Sequence, residues 1–351
     1  MNINEVTKNA NKLHDESIVI NALDSSRIRE ADDEYIGKLR KSGVTAISLC
    51  VAAGSADEYA HDFKTTLWYI SSWWRVLSQY PDDIMFAEVP EDTEKAKQAD
   101  KIAVYFGVQN ITPLDGNLKL LPVLKKVGVT MMQLTYQMRN KAGNGCGERA
   151  DEGLSSWGLE LVDRLNDIGM IVDLGHSGKQ TTLDAIERSK DPVVISHACL
   201  KGLADNVRNH TDEEVKALAD KGGVIGLAGK SKYLRDNWLK ERVTVEDYVD
   251  HIEYVRDLVG IDHVGIGTDI GDERKYHLER IKDLYSRTAG IYPEGTKFDE
   301  NFVAKLHPKG LSSPGDLRNI TIAMAKRGFK DEEIKKVIGG NFQRIFNEVI
   351  S

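Results

Sequence analysis

Eight apolar runs of strand length recur along the chain, each closed by polar or glycine-containing punctuation. They read IVINAL at 18–23, TAISLCVA at 45–52, IAVYFGVQ at 102–109, VTMMQLTY at 129–136, MIVDLGH at 170–176, PVVISH at 192–197, GVIGLAG at 223–229 and HVGIGTD at 263–269. Most are continuously hydrophobic, as strands of a parallel sheet covered on both faces must be. Helical periodicity separates them at 33–41, 118–126, 157–168, 181–189, 213–221 and 245–259. Eight such α/β units over about 250 residues predict a closed (β/α)8 TIM barrel in preference to an open doubly wound sheet. Barrel strands are expected between about 18 and 269. A C-terminal helical extension follows at about 312–349, with helices at 314–327, 331–338 and 340–349, expected on the outside of the barrel. No linker rich in Pro, Gly or Ser and no solenoid-length repeat divides the chain, so 1–351 is read as a single domain.

Composition narrows the partners. The 351 residues are 41% hydrophobic and 29% charged, with a net charge of −8 and no dense Lys/Arg stripe. That balance argues against nucleic acid or an anionic membrane surface as partner and for a small-molecule ligand. Three widely spaced cysteines, Cys50, Cys146 and Cys199, suit a reducing compartment. With no signal-like start and no apolar run of roughly 18 residues, a cytoplasmic location is expected. The stretch at 67–76 gathers three of the five tryptophans on one predicted helix, which either packs on the barrel or forms a contact in a homo-oligomer.

In such a barrel the chemistry stands at the C-terminal ends of the strands. Those ends carry Leu23, Asp24 and Ser25, then Gln109 and Asn110, Tyr136, His176, His197 and Asp269. His176 and His197 close consecutive strands, so their rings are neighbours at one level. Imidazole is a common zinc ligand, and Asp269 across the mouth is the expected carboxylate partner, leaving a coordination position for water. His14, His61, His210, His251, His263, His277 and His307 fall in helices, loops or strand starts and are read as structural. Cys50 and Cys199 are read as buried without function. Cys146 and Glu148 lie in a glycine-rich stretch expected to be flexible enough to fold over the mouth. There Cys146 is a candidate nucleophile or zinc ligand. Lys230, Lys232 and Tyr233 follow the seventh run and either line the mouth or face solvent. The glycines of GVIGLAG lie within a strand and make no dinucleotide fingerprint.

From about Val129 onward the chain resembles the membrane (renal-type) dipeptidase family of zinc peptidases on an amidohydrolase-like barrel. The likeness rests on IVDLGHSG, VVISHA, VRNHTDEEVKALADKGGVIG, HVGIGTD and the tail SSPGDLRNITIAMAKRGFKDEEIKKVIGGNFQRIF. It implies a two-metal hydrolase for dipeptides, with His176, His197 and Asp269 matching metal ligands and Arg208, followed by Asn209, matching the arginine that grips the substrate carboxylate. The chain departs from that pattern in three respects. Leu23 and Ser25 stand where the family carries a His-x-Asp pair, Gln109 stands at its bridging glutamate, and Tyr136 replaces a substrate-contacting histidine. The chain is similar to a divergent branch that shares several of these changes together with NKAGNGCGE at 140–148.

The expected cofactor is therefore one zinc ion per chain, held by His176, His197 and Asp269 with a weaker contribution from Gln109. Asp269 would also move the proton, with Cys146 and Tyr136 as further catalytic candidates. Arg208, Tyr136, Asn209 and Tyr233 would contact substrate. The expected reaction is hydrolysis of a dipeptide or similar small carboxylated amide by metal-activated water. Two alternatives stay open: a metal- or carboxylate-binding barrel that has lost peptidase activity, and a lyase or isomerase acting on a small carboxylated substrate.

Overall fold

The computed structural model describes residues 2–53, 62–271 and 299–351. His61 and His277 lie outside them. Among the described residues nine parallel strands form one sheet: β1 (Ile20–Asp24), β2 (Ala46–Ala53), β3 (Ile84–Phe86), β4 (Ile102–Gln109), β5 (Val129–Gln133), β6 (Ile171–Asp173), β7 (Val194–Ala198), β8 (Val224–Leu227) and β9 (Val264–Ile266). Eight of them run in the order β1-β2-β4-β5-β6-β7-β8-β9, and β3 branches off β4 through Ile84↔Ile102 to Phe86↔Val104. The segment after β9 returns to β1, where Thr268 N donates to Asn21 Oδ1 at 2.9 Å and Asp269 N to Leu23 O at 3.1 Å. The result is a near-closed eight-stranded parallel barrel wrapped by helices.

Each of the eight apolar runs coincides with a strand to within a few residues at its ends. The branch strand β3 was not expected from the sequence, since its three residues are too short to register as a run and Met85 and Phe86 are only half-buried. Strand residues are buried on both faces, which explains the unbroken hydrophobicity of the runs. The helices start and stop where local chemistry dictates. Asp32 caps the helix Asp33–Ser42, which ends on Gly43 in the left-handed conformation at φ +73°. Thr211 with Glu214 and Thr244 with Asp247 form reciprocal capping boxes on Asp212–Asp220 and Val245–Val259.

The C-terminal extension does not simply lie on the outside. Its last helix, Asn341–Val349, closes the N-terminal end of the barrel, where Phe342, Ile345 and Phe346 meet Ile20, Ala46, Ala103 and Val224 near the strand starts. Gly265 makes room for this plug, because a Cβ there would stand 2.6 Å from the Phe342 ring. An amphipathic pattern says that a face is buried but not against what, which is why the sequence reading set this helix on the outside of the barrel. This apolar cluster occupies the end of the barrel opposite the strand ends that carry the polar site residues. On the aromatic helix Phe63–Gln79, Trp73 is buried and Trp74 packs on Phe86 at 4.2 Å between centroids, while Trp68 stays 60% exposed. No helix among the described residues is long and apolar enough to cross a membrane.

Candidate active site

Four strand ends bring Gln109, Tyr136, His176 and His197 together. His197 sits within β7 and is wholly buried, and His176 follows β6 on the turn through Leu174 and Gly175. Gly175 allows the approach, since a Cβ at that position would meet the His197 ring at 3.0 Å and Gln133 Oε1 at 3.1 Å. The two imidazoles face each other Nε2 to Nε2 at 2.9 Å, with centroids 4.8 Å apart and planes inclined at 59°. Gln109, the last residue of β4, places its amide nitrogen 3.3 Å from His197 Nε2. Tyr136 stacks on the other face of His176 at 4.1 Å and 21°.

Burial, followed by the nearby charge of Arg208, holds both imidazoles well below the ordinary histidine range, so both are neutral near pH 7. His197 Nδ1 lies 2.7 Å from Ser196 Oγ, and Ser196 Oγ donates to Asp173 Oδ2 at 2.6 Å. His176 Nδ1 is buried with no partner.

Arg208 is 1% exposed, and its terminal nitrogens donate to the carbonyl oxygens of Gly175 and His197. Its Nε–H has no partner, and its guanidinium carbon lies 5.5 Å from the Tyr233 ring centroid. A buried cation held at two corners, with donors to spare, is suited to an anionic ligand group. Tyr233 itself is buried and its phenol is pushed up to about 12, while burial also drives the Tyr136 phenol upward. Burial, Lys230 and Arg208 together lower Lys232 to about 7. Sequence patterning did not single out that shift.

Asp269 follows β9 in the left-handed conformation at φ +52°, uncommon outside glycine, asparagine and aspartate. This backbone turn aims its carboxylate at Lys230, with Oδ2 and Nζ 3.9 Å apart. Asp269 does not join the two histidines as a third ligand: among the described residues no group of three or more His, Cys, Asp or Glu side chains is arranged to hold a metal ion. Asn209 is a brace. Its amide donates to Ala204 O at 2.9 Å and Tyr233 O at 2.8 Å, tying the Arg208 loop to the segment after β8.

The loop bearing Cys146 is braced rather than flexible. Asn140 donates to Asn110 Oδ1 and Leu134 O and accepts from Ala142 N. Cys146 N donates to His176 O at 2.8 Å, and Glu148 Oε1 accepts from Arg139 N at 2.6 Å. A Cβ on Gly145 would lie 2.2 Å from Tyr136 O, so only glycine permits this closeness. The half-buried Cys146 thiol is pushed up by burial against the opposing pull of Arg208. Cys50 and Cys199 donate to the carbonyls of Ala52 and Ala228. The remaining described histidines have structural partners: His14 with Thr321 and Ser42, His210 with Glu214, His251 with Leu200 and Leu234, His263 with Gly223 and His307 with Gly229.

The nitrogen pair fits a single ion. At zinc–nitrogen distances of about 2.0–2.1 Å, two tetrahedral ligands lie roughly 3.3–3.4 Å apart, so the two rings, hydrogen-bonded at 2.9 Å, need open only slightly to share one ion. Neutral imidazoles are the required protonation state. Turning the Gln109 amide would bring its carbonyl oxygen to the same point as a third, neutral donor.

The family model of membrane dipeptidase, peptidase family M19, matches residues 7–306 and 294–351. A dipeptidase, tcpJ, of Claviceps purpurea is 27% identical over 281 residues, covering 78% of this chain and 57% of the relative. An uncharacterized dipeptidase of Schizosaccharomyces pombe is 30% identical over 239 residues, 65% of this chain and 57% of that protein. The aligned segments thus span just over half the length of these two relatives. Among solved structures, an amidohydrolase from Pseudomonas aeruginosa superposes with a TM-score of 0.84 at 31% identity, covering 97% of this chain and 99% of that one.

Proposed function

The chain belongs to the membrane dipeptidase family, a metal-dependent hydrolase family, and on that footing we propose that its barrel mouth hydrolyses the amide bond of a dipeptide or a similarly small carboxylated amide. His176 and His197, with the Gln109 carbonyl as a weaker donor, would hold one zinc ion per chain. When bound, that ion supplies a Lewis acid and a water acidified toward neutrality. Arg208 binds the substrate carboxylate through the N–H groups not engaged with Gly175 and His197. Asp269 accepts the proton of the attacking water and returns it to the leaving amine nitrogen as the C–N bond breaks. Tyr136, stacked on His176, walls that side of the mouth and excludes water.

The observation that carries this reading is the pair of neutral Nε2 atoms 2.9 Å apart beside a buried arginine. The test is hydrolysis of a dipeptide panel by zinc-loaded protein, with His176→Ala as control. Zinc-dependent turnover abolished by the substitution supports the reading, and bound zinc without turnover on any amide contradicts it. One feature favours a second reading, a carboxylate-binding barrel without hydrolysis: all three donors at the ion position are neutral. In that case carboxylated ligands bind through Arg208 and are released unchanged.

A further inference from the structure

We infer that Asp173 and Ser196 are positioning residues for His197, holding it in the tautomer that carries its proton on Nδ1 and presents the Nε2 lone pair to the mouth. The inference rests on the proposed role of His197 for its functional meaning but not for its geometry.

Asp173 closes β6 and Ser196 precedes His197 on β7, so strand pairing sets the two side by side. The Asp173 carboxyl group receives three donors: Gly175 N at 3.0 Å and Ser196 N at 2.8 Å on Oδ1, and Ser196 Oγ at 2.6 Å on Oδ2. Two are backbone N–H groups on Oδ1 that cannot reverse, and together with the charge of Arg208 these bonds favour the carboxylate, an acceptor on Oδ2 as well, against the upward push of burial. The Ser196 hydroxyl proton is thereby committed to Asp173, and the hydroxyl has only lone pairs to offer His197 Nδ1, 2.7 Å away. Nδ1 must then be the donor, and Nε2 is left as the lone pair facing His176 Nε2 and the Gln109 amide. Asp173, Ser196 and His197 are all essentially inaccessible to solvent, so no water competes for these bonds. Outer partners of this kind set both the tautomer and the ring direction of a ligating histidine.

The arrangement has a reversible logic that separates positioning from simple packing. In Asp173→Asn, an amide NH2 at the Oδ2 position donates to Ser196 Oγ, whose own proton then turns to His197 Nδ1. The tautomer inverts with almost no change of shape.

The test is 15N NMR of histidine-labelled, metal-free protein at pH 7.5, with the His197 signals assigned by their loss in His197→Gln. Wild type and Ser196→Thr are expected to show Nδ1 protonated and Nε2 bare, Asp173→Asn to show the reverse, and Ser196→Ala to populate both forms. Zinc affinity, measured by competition with a chelating dye, is expected to fall about 10–100-fold in Asp173→Asn and Ser196→Ala and to be retained in Ser196→Thr. Wild-type His197 protonated on Nε2, or a folded Asp173→Asn with an unchanged tautomer, overturns the inference. Should Asp173→Asn fail to fold, an unchanged tautomer in Ser196→Ala overturns it instead. Because the NMR readout needs neither metal nor turnover, the expected tautomer in a protein that hydrolyses nothing would sink the proposed function alone.

Discussion

Arg208 donates from its guanidinium to the backbone carbonyl oxygen of His197 at 3.1 Å. The buried cation is therefore anchored on the very residue whose ring faces His176. The bond holds the guanidinium at a set distance from the ion position and leaves its unused N–H groups for a ligand. Arg208→Lys keeps the charge but loses the planar fork, and binding of carboxylated ligands should weaken by about 1–3 kcal/mol. Calorimetric titration with a non-hydrolysable dipeptide analogue checks this; unchanged affinity would remove Arg208 from the ligand site.

Protonation of the buried histidines should weaken the fold. Burial holds His176 and His197 well below the ordinary histidine value of 6.5, and His14 and His251 at about 4, so below pH 6.5 the unfolded chain binds protons that the folded chain does not. Their contribution is full above pH 6.5 and is lost as pH falls toward the depressed folded values, by about 1.4 kcal/mol per histidine per pH unit. Asp24 works the other way, because burial raises its carboxyl to about 6 and its protonation favours the folded state below that value. Urea unfolding of metal-free protein at pH 7.5 and 5.5 should show a net loss of stability at the lower pH.

Two glycine substitutions should have opposite signs. At Gly145 a methyl group would sit 2.2 Å from Tyr136 O, and Gly145→Ala should cost about 1–3 kcal/mol while displacing Cys146 from the mouth. At Gly37, exposed within the helix Asp33–Ser42, nothing lies within 4 Å, and Gly37→Ala should stabilise by about 0.5–1 kcal/mol. Thermal unfolding of the pair reads both effects.

Removing the Phe342 ring should destabilise the barrel from the end opposite the chemistry. The ring is 1% exposed and packs where Gly265 leaves room. Phe342→Ala should cost about 3–5 kcal/mol, yet zinc affinity of the folded protein at low temperature should match wild type. A parallel loss of metal affinity would show the two ends to be coupled.

The barrel was legible because strands covered on both sides leave unbroken apolar runs, and the histidine pair because consecutive barrel strands must be neighbours. What stayed hidden depends on partners distant in sequence. Asp173 and Ser196 read as ordinary polar strand positions until pairing of β6 and β7 sets them 2.6 Å apart. The direction of Asp269 is decided by a backbone angle of +52° that no residue pattern announces. The glycines of the Cys146 loop look like flexibility in sequence, but in three dimensions Gly145 admits the backbone of Tyr136 and Gln137 and locks the loop.

X-ray absorption at the zinc edge of protein loaded with one equivalent of zinc tests the central claim most directly. A first shell of nitrogen and oxygen with the multiple-scattering signature of two imidazoles, reduced in His176→Ala and in His197→Ala, is the predicted result. Zinc that stays fully hydrated, or an imidazole signature unchanged by both substitutions, would contradict it.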